Sequence, residues 1–146
     1  MMRSGLFLLA LWISCLAFAD IGAGGISGRW LQLDDDDGLP SSVIEIRRVG
    51  NLLTGRIVEL YLPPGMAPPL CTACNGKLHG QAILGLQVLE VRDAGRDRWE
   101  GEILDPENGK TYQSKLELRD SKTLDVRGYI GVPLFGRTQR WRRMSD

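Results

Sequence analysis

The sequence predicts an all-β protein, an eight-stranded antiparallel up-and-down barrel. Three observations predict it. Apolar and polar residues alternate with a period of two along most of the chain, and long helical stripes are absent. Short clusters of Gly, Pro, Asn and Asp separate the alternating runs at hairpin spacing. Glycines recur inside the strand patterns, at Gly55, Gly85, Gly101 and Gly128, where a small closed barrel must bend sharply. Closure also removes the two edges that an open meander would expose.

The first strand is "GRWLQL", residues 28–33, ended by the acidic run Asp34–Asp37 and "GLP". "SVIEIRR" (42–48) and "LLTGRIVEL" (52–60) flank the tight turn "VGN". A long Pro/Gly-rich connection then leads to a fourth strand over 82–91, "AILGLQVLEV". "DAGRD" turns the chain into 98–104, "RWEGEIL", and "DPENGK" turns it into 110–119, "KTYQSKLELR". In "DPENGK", Pro106 fixes φ and Asn108-Gly109 tolerates the positive φ of a hairpin. The strand 122–130, "KTLDVRGYI", and "GVPLFG" lead to the last, 137–143, "RTQRWRR". Alternation is clearest late in the chain: Tyr112, Ser114, Leu116 and Leu118 share one face, as do Leu124, Val126, Gly128 and Ile130.

The N-terminus is read as an address rather than as structure. Arg3, the apolar run Leu6–Ile13 and Ala17-Phe18-Ala19 form the pattern of a secretory signal peptide, with cleavage expected after Ala19. The organisation is therefore a signal peptide (1–19), a flexible segment (20–26) and one barrel domain (27–146). Lipidation at Cys15 is the rival reading, but Trp12 fits a lipobox poorly and an intact cleavage site follows. The expected location is the bacterial periplasm or the outside of the cell, with no membrane-spanning segment, since a span needs roughly 20 apolar residues.

Eighteen basic and eighteen acidic residues balance, so nothing points to nucleic acid or an anionic membrane surface as partner. The basic cluster "GRTQRWRR" is read as a strand with solvated arginines. Cleavage would remove Cys15 and leave Cys71 and Cys74 in an oxidising compartment. In "LCTACNGKLHG" no His directly follows the second Cys, which excludes a covalent haem tether. A redox pair would want a helix N-terminus. Cys71, Cys74 and His79 are one ligand short of a closed zinc site. A local disulfide is the expectation, worth about 2 kcal/mol for so short a loop. Asp34–Asp37 stack carboxylates without the spacing of a calcium loop and are read as a solvated turn. No metal, cofactor or catalytic residue is assigned.

Two resemblances follow. "GRW", with Gly28 and Trp30, is similar to the motif that opens the first strand of lipocalins. It implies a Trp closing the barrel floor with an Arg of the last strand across it, from among Arg137, Arg140, Arg142 and Arg143. More closely, "IEIRRVGNLLTGRIVEL", "GLQVLE", "WEGEILDPENGKTY" and "LDVRGYIGVPLFGRTQRW" resemble, in order, the bacterial exported family called domain of unknown function 2147. The resemblance implies a lipocalin-like barrel and brings no activity.

The function expected is non-enzymatic binding of a small apolar or amphipathic ligand. Strands of about eight residues tilted near 40° give a barrel only about 20 Å tall. That favours a shallow pocket at one mouth, lidded by the 61–80 loop. Candidate lining residues are Trp99, Tyr112, Tyr129 and Phe135, with Arg127 as polar anchor. The alternatives are an envelope interaction module with a filled barrel and an envelope protein partner, or a thiol- or metal-active protein using Cys71 and Cys74.

Overall fold

The computed structural model describes residues 25–145, so the expected signal peptide, Cys15 and most of the 20–26 segment lie outside the described residues. Eight strands follow one another around a closed ring: β1 (Gly28–Leu33), β2 (Pro40–Val49), β3 (Leu52–Leu60), β4 (Gln87–Asp93), β5 (Arg98–Asp105), β6 (Lys110–Asp120), β7 (Thr123–Tyr129) and β8 (Arg137–Arg143). Each pairs antiparallel with the next, and β8 pairs with β1. The expected strands match these to within two residues at either end, with one exception.

The exception is 82–91, where β4 begins only at Gln87. Ala82 makes an isolated bridge to Leu70, and the chain then turns, with Leu86 N–H donating to the Ile83 carbonyl (3.0 Å). Gly85 lies in this turn with φ of 89°, so it is not one of the bends inside the strands, as Gly55, Gly101 and Gly128 are. The apolar run 82–86 imitates a strand because Ile83 and Leu86 pack against the core from a loop. Composition alone does not separate those two ways of burying a side chain.

Inward positions follow the period of two around the ring. Trp30 and Ile44, Gly55 and Leu89, Leu116 and Val126, and Leu124 and Trp141 are cross-strand pairs on the inner wall. Trp30, Leu124 and Trp141 are fully buried, and the barrel's middle is a packed core. The outer wall is charged. Arg47 pairs with Glu45 (2.9 Å), Lys115 with Glu100 (3.4 Å), and Asp125 is gripped by Arg119 (2.6 Å) and Arg140 (3.0 Å). Such a wall is the opposite of the apolar band that a membrane-embedded barrel presents to lipid. Among the described residues no helix is long and apolar enough to cross a membrane.

The ring closes over a short seam, in which only Trp30 and Leu31 face Arg143 and Arg142. Side chains reinforce it. The Arg143 guanidinium stacks 4.3 Å from the centre of the Trp30 ring. It also donates to the carbonyls of Ser121 (2.6 Å), Ser27 (2.8 Å) and Gly25 (2.7 Å). Trp30 Nε1 donates to the Ile26 carbonyl at 2.8 Å, which folds the N-terminal approach under the barrel. Gly28 has φ of 123°, and a Cβ there would lie 3.2 Å from Arg143 Nη1. The Gly-x-Trp pattern thus has a local cause, and Arg143 is the last-strand arginine that crosses the tryptophan.

This end, the floor, also carries turns 50–51, 94–97 and 121–122. The opposite end, the mouth, carries loops 34–39, 61–86, 106–109 and 130–136.

Three measurements check this account. Arg143→Met keeps the aliphatic stem and removes three charge-assisted hydrogen bonds, so it should lower stability in urea by about 2–3 kcal/mol. Arg143→Lys should recover little, because an ammonium cannot reproduce the fork; an unchanged midpoint for both would refute the clamp. The Cys71→Ala/Cys74→Ala variant should keep its β spectrum and lose about 2 kcal/mol. Burial pushes the Asp125 carboxyl up, but hydrogen bonds and charge from Arg119 and Arg140 outweigh it and hold the group below its ordinary value. Its contribution to stability is therefore present above the unfolded value of about 3.9 and is lost as pH falls through the folded one. Relative to Asp125→Asn, the parent's advantage should be constant near neutrality and shrink below about pH 4 in urea titrations.

Candidate functional site

Along the inner wall, exposure changes sharply with height. Trp30, Ile44, Ile57, Leu89, Ser114, Val126 and Trp141 form a sealed layer. The inward residues above them, Gln32, Leu60, Ile103, Tyr112 and Gln139, are half-buried. The mouth thus carries a ring of half-buried side chains, the bowl, over a solid core.

The two sides of the bowl differ in chemistry. On β1, β2 and β8 a polar strip climbs the wall. Ser42 Oγ donates to Gln32 Oε1 (2.8 Å), and Gln32 Nε2 donates to Gln139 Oε1 (2.8 Å). Trp141 Nε1 donates to the same Gln139 oxygen at 3.3 Å, so the strip is rooted in the core. Gln139 Nε2 donates to Asp35 Oδ2 (2.9 Å), and Asp35 is ion-paired with Arg137 at the rim. The other side is apolar, built from Leu60 on β3, Ile103 on β5 and Tyr112 on β6, with Ile83 packed against the same core. The Tyr112 hydroxyl accepts from Asn108 Nδ2 (2.9 Å), which leaves its own proton free to donate.

The cysteine loop leans onto the β5–β6 turn beside this apolar side. Cys71 and Cys74 form a disulfide, are themselves buried, and belong to the core cluster. Cys71 Sγ lies 3.4 Å from the Pro106 carbonyl oxygen in the β5–β6 turn. At Gly109 (φ of 71°) a Cβ would collide with the Ala73 carbonyl, so only glycine lets the two loops meet. His79, exposed, donates from Nδ1 to the Cys74 carbonyl (3.0 Å). Among the described residues no group of three His, Cys, Asp or Glu is placed to hold a metal.

The five candidate lining residues fall in four places. Tyr112 stands on the bowl's wall. Trp99 is buried near the floor, paired across the strands with Leu116, and its Nε1 has no hydrogen-bond partner among the described residues. Arg127 and Tyr129 alternate outward on β7. Arg127 is occupied in fastening the 130–136 loop, with Nε to the Pro133 carbonyl (2.7 Å), Nη2 to the Leu134 carbonyl (3.3 Å) and Nη1 to Thr138 Oγ1 (2.7 Å). Phe135 projects from that loop into solvent. Gly28 and Trp30 stand at the seam.

Asp34 and Asp37 behave as turn residues. Asp34 Oδ1 accepts from the N–H groups of Asp36 (2.8 Å) and Asp37 (3.3 Å), and Asp37 Oδ1 accepts from Leu39 N–H (2.8 Å). Asp35 alone turns to the bowl. Gln32, Ser42 and Gln139 were legible but unread: Gln32 is in phase with Trp30, and Gln139 with Trp141, so both had to point inward.

A depression of about 530 Å³ lies at the floor, between Trp99, Arg48, Asp93, Arg96 and Asp97. Trp99 Nε1 is sealed from solvent, so the atom best suited to hold a ligand there is out of its reach. The mouth is preferred on the chemistry of its inner wall, polar on one side and apolar on the other.

The comparisons agree with the fold. No curated protein matches the chain. Among solved structures the chain is similar to one described as "Protein HP1028 from the human pathogen Helicobacter pylori belongs to the lipocalin family". The two are 18% identical, with 82% of this chain and 83% of that one covered and a TM-score of 0.71; at that identity the likeness concerns the fold alone. A family model spans residues 28–143, from the glycine to the arginine that meet at the seam. The chain belongs to that bacterial family, described as "Uncharacterized protein conserved in bacteria (DUF2147)".

Proposed function

We propose that the protein is an exported, non-enzymatic binder that holds a small amphipathic molecule in the bowl at the barrel mouth. One observation carries the reading: half-buried inward residues, polar on one side and apolar on the other, stand directly above a sealed core. The head of a ligand would exchange hydrogen bonds with Gln32, Gln139 and the Asp35–Arg137 pair. Its apolar part would lie against Leu60, Ile103 and Tyr112. The packed middle of the barrel restricts the guest to the mouth, which suits one short chain or ring rather than a long buried tail. Polar atoms of the strip are engaged with one another, an arrangement for orienting a guest rather than for turning it over. The buried disulfide supports export, since such bonds persist in oxidising compartments.

The test is native mass spectrometry of the protein purified from its own compartment, followed by titration of the stripped protein with a compact fluorescent amphiphile, N-phenyl-1-naphthylamine. A co-purifying mass of a few hundred daltons is expected, on the order of one drug-sized ligand. Ile103→Ala and Tyr112→Ala should each weaken probe binding by about tenfold, the loss of roughly one apolar contact surface. Stripped protein that takes up neither the probe nor the co-purified compound would refute ligand binding at the mouth.

A further inference from the structure

Exposed apolar side chains are not scattered over this molecule. Of the large ones, Leu39, Tyr61, Met66, Leu70, Leu78, Leu84, and the whole set on 130–136 belong to loops at the mouth. Ile130 is 64% exposed, Leu134 79% and Phe135 81%. Two segments supply most of them, 60–76 and 128–136, and neither contains a charged residue, in a chain that is 25% charged. The β3–β4 and β7–β8 connections lie half a turn apart on the ring, so the two apolar tips rise from opposite sides of the bowl. The loops between them, 34–39 and 106–109, are acidic.

Part of the backbone at both tips is already engaged within the protein. In 130–136, Arg127 takes the carbonyls of Pro133 and Leu134, and the N–H groups of Phe135 (3.2 Å) and Gly136 (3.0 Å) donate to Val132 and Pro133. In 61–70, Pro63, Pro64, Pro68 and Pro69 have no N–H to satisfy, Met66 N–H donates to Pro63 (3.1 Å), and the Pro69 carbonyl accepts from Ile83 (3.1 Å). Each polar group engaged within a tip is one fewer to be stripped of water at an acyl boundary. Tyr61 is a residue type that settles at such a boundary, and Phe135 one that is buried just beneath it.

We infer that the mouth docks on a phospholipid surface, with the 61–70 and 130–136 loops inserted and the bowl held between them at headgroup level. Two separate protrusions on opposite sides of a ring suit a deformable, laterally uniform surface, which needs no matched groove. The intervening acidic loops, Asp34–Asp37 and Asp105 with Glu107, would be repelled by anionic headgroups, so the surface is a zwitterionic one. The inference goes beyond ligand binding, because it rests on the loop tips and not on the walls of the bowl.

Vesicle flotation tests it, using phosphatidylcholine alone and phosphatidylcholine mixed with phosphatidylglycerol. All proteins are compared with one N-terminus, verified by intact mass, so that any contribution of residues 1–24 cancels. The parent should float with phosphatidylcholine and less with the anionic mixture at low salt. Leu134→Ser/Phe135→Ser and Met66→Ser/Leu70→Ser, all at exposed positions, should each reduce the partition coefficient by at least about tenfold. Val49→Ser, at the exposed apolar position of the floor, should leave it unchanged. A Phe135→Trp emission shift to the blue on adding vesicles would place the tip in lipid. Docking is overturned if the parent stays in solution, if the loop variants float like the parent, or if anionic lipid strengthens flotation. It is also overturned if sedimentation shows a dimer that the loop substitutions abolish and vesicles do not compete for; the tips would then serve a second copy of the chain. Ile103→Ala and Tyr112→Ala should float normally, so failure of ligand binding and failure of docking are separate results.

Discussion

The grip of Arg143 on Trp30 and on the chain entering beneath it is the interaction on which the rest of the architecture rests. An antiparallel meander has two free edges, and here they meet over only two residue pairs. So short a ladder contributes little by itself. The guanidinium adds three carbonyl acceptors from two segments remote in sequence, the approach to β1 and the β6–β7 turn, and stacks on an indole that is itself fully buried. Closing the ring and closing the floor are therefore one event, carried by the two ends of the folded domain.

Closure at the floor decides what the other end can do. Three tryptophans, Trp30, Trp99 and Trp141, take up much of the interior of a narrow barrel, and the aliphatic residues of β2, β3, β4, β6 and β7 fill the spaces between them. The core stops where the inner wall turns polar, at Gln32, Ser42 and Gln139. Each of these is a buried or half-buried polar group that would be costly alone. Together they form a directed chain of hydrogen bonds from Ser42 and Trp141 to the Asp35–Arg137 pair, so the wall meets water through groups already in fixed orientation. A rigid polar strip facing an apolar wall gives the mouth its two-sided character.

Loops around the mouth divide the labour further. Acidic turns close β1–β2 and β5–β6 through their own carboxylates, while the two apolar connections are stiffened by different devices, the Cys71–Cys74 bridge and the fork of Arg127. Stiffening matters for exposed apolar residues. A floppy loop would fold them inward against the core, whereas a fastened one keeps them outside. Arg127 serves the same end: its donors hold the backbone that holds Leu134 and Phe135 in solvent.

Read from the sequence alone, period-two alternation and turn chemistry determined the class, the strand count, the order of pairing and the closed ring, because those patterns are local and repeat in every hairpin. Gly28 and Trp30 pointed to the seam, and the short Cys spacing, together with the expected signal peptide, pointed to a disulfide. What the sequence left open is set by distance through space. Four arginines near the C-terminus are alike in sequence, and only the ring's curvature places Arg143 over Trp30. Alternation already put Tyr112 in phase with Leu116 and left Arg127 and Tyr129 out of phase with Val126, and the structure places the first on the inner wall and the other two outside. Residues 82–86 read as strand because an apolar run packed from a loop has the same composition as one packed from a sheet. The polar strip needed side chains from β1, β2, β8 and the loop after β1 to converge, and convergence is a property that only the closed tertiary structure possesses.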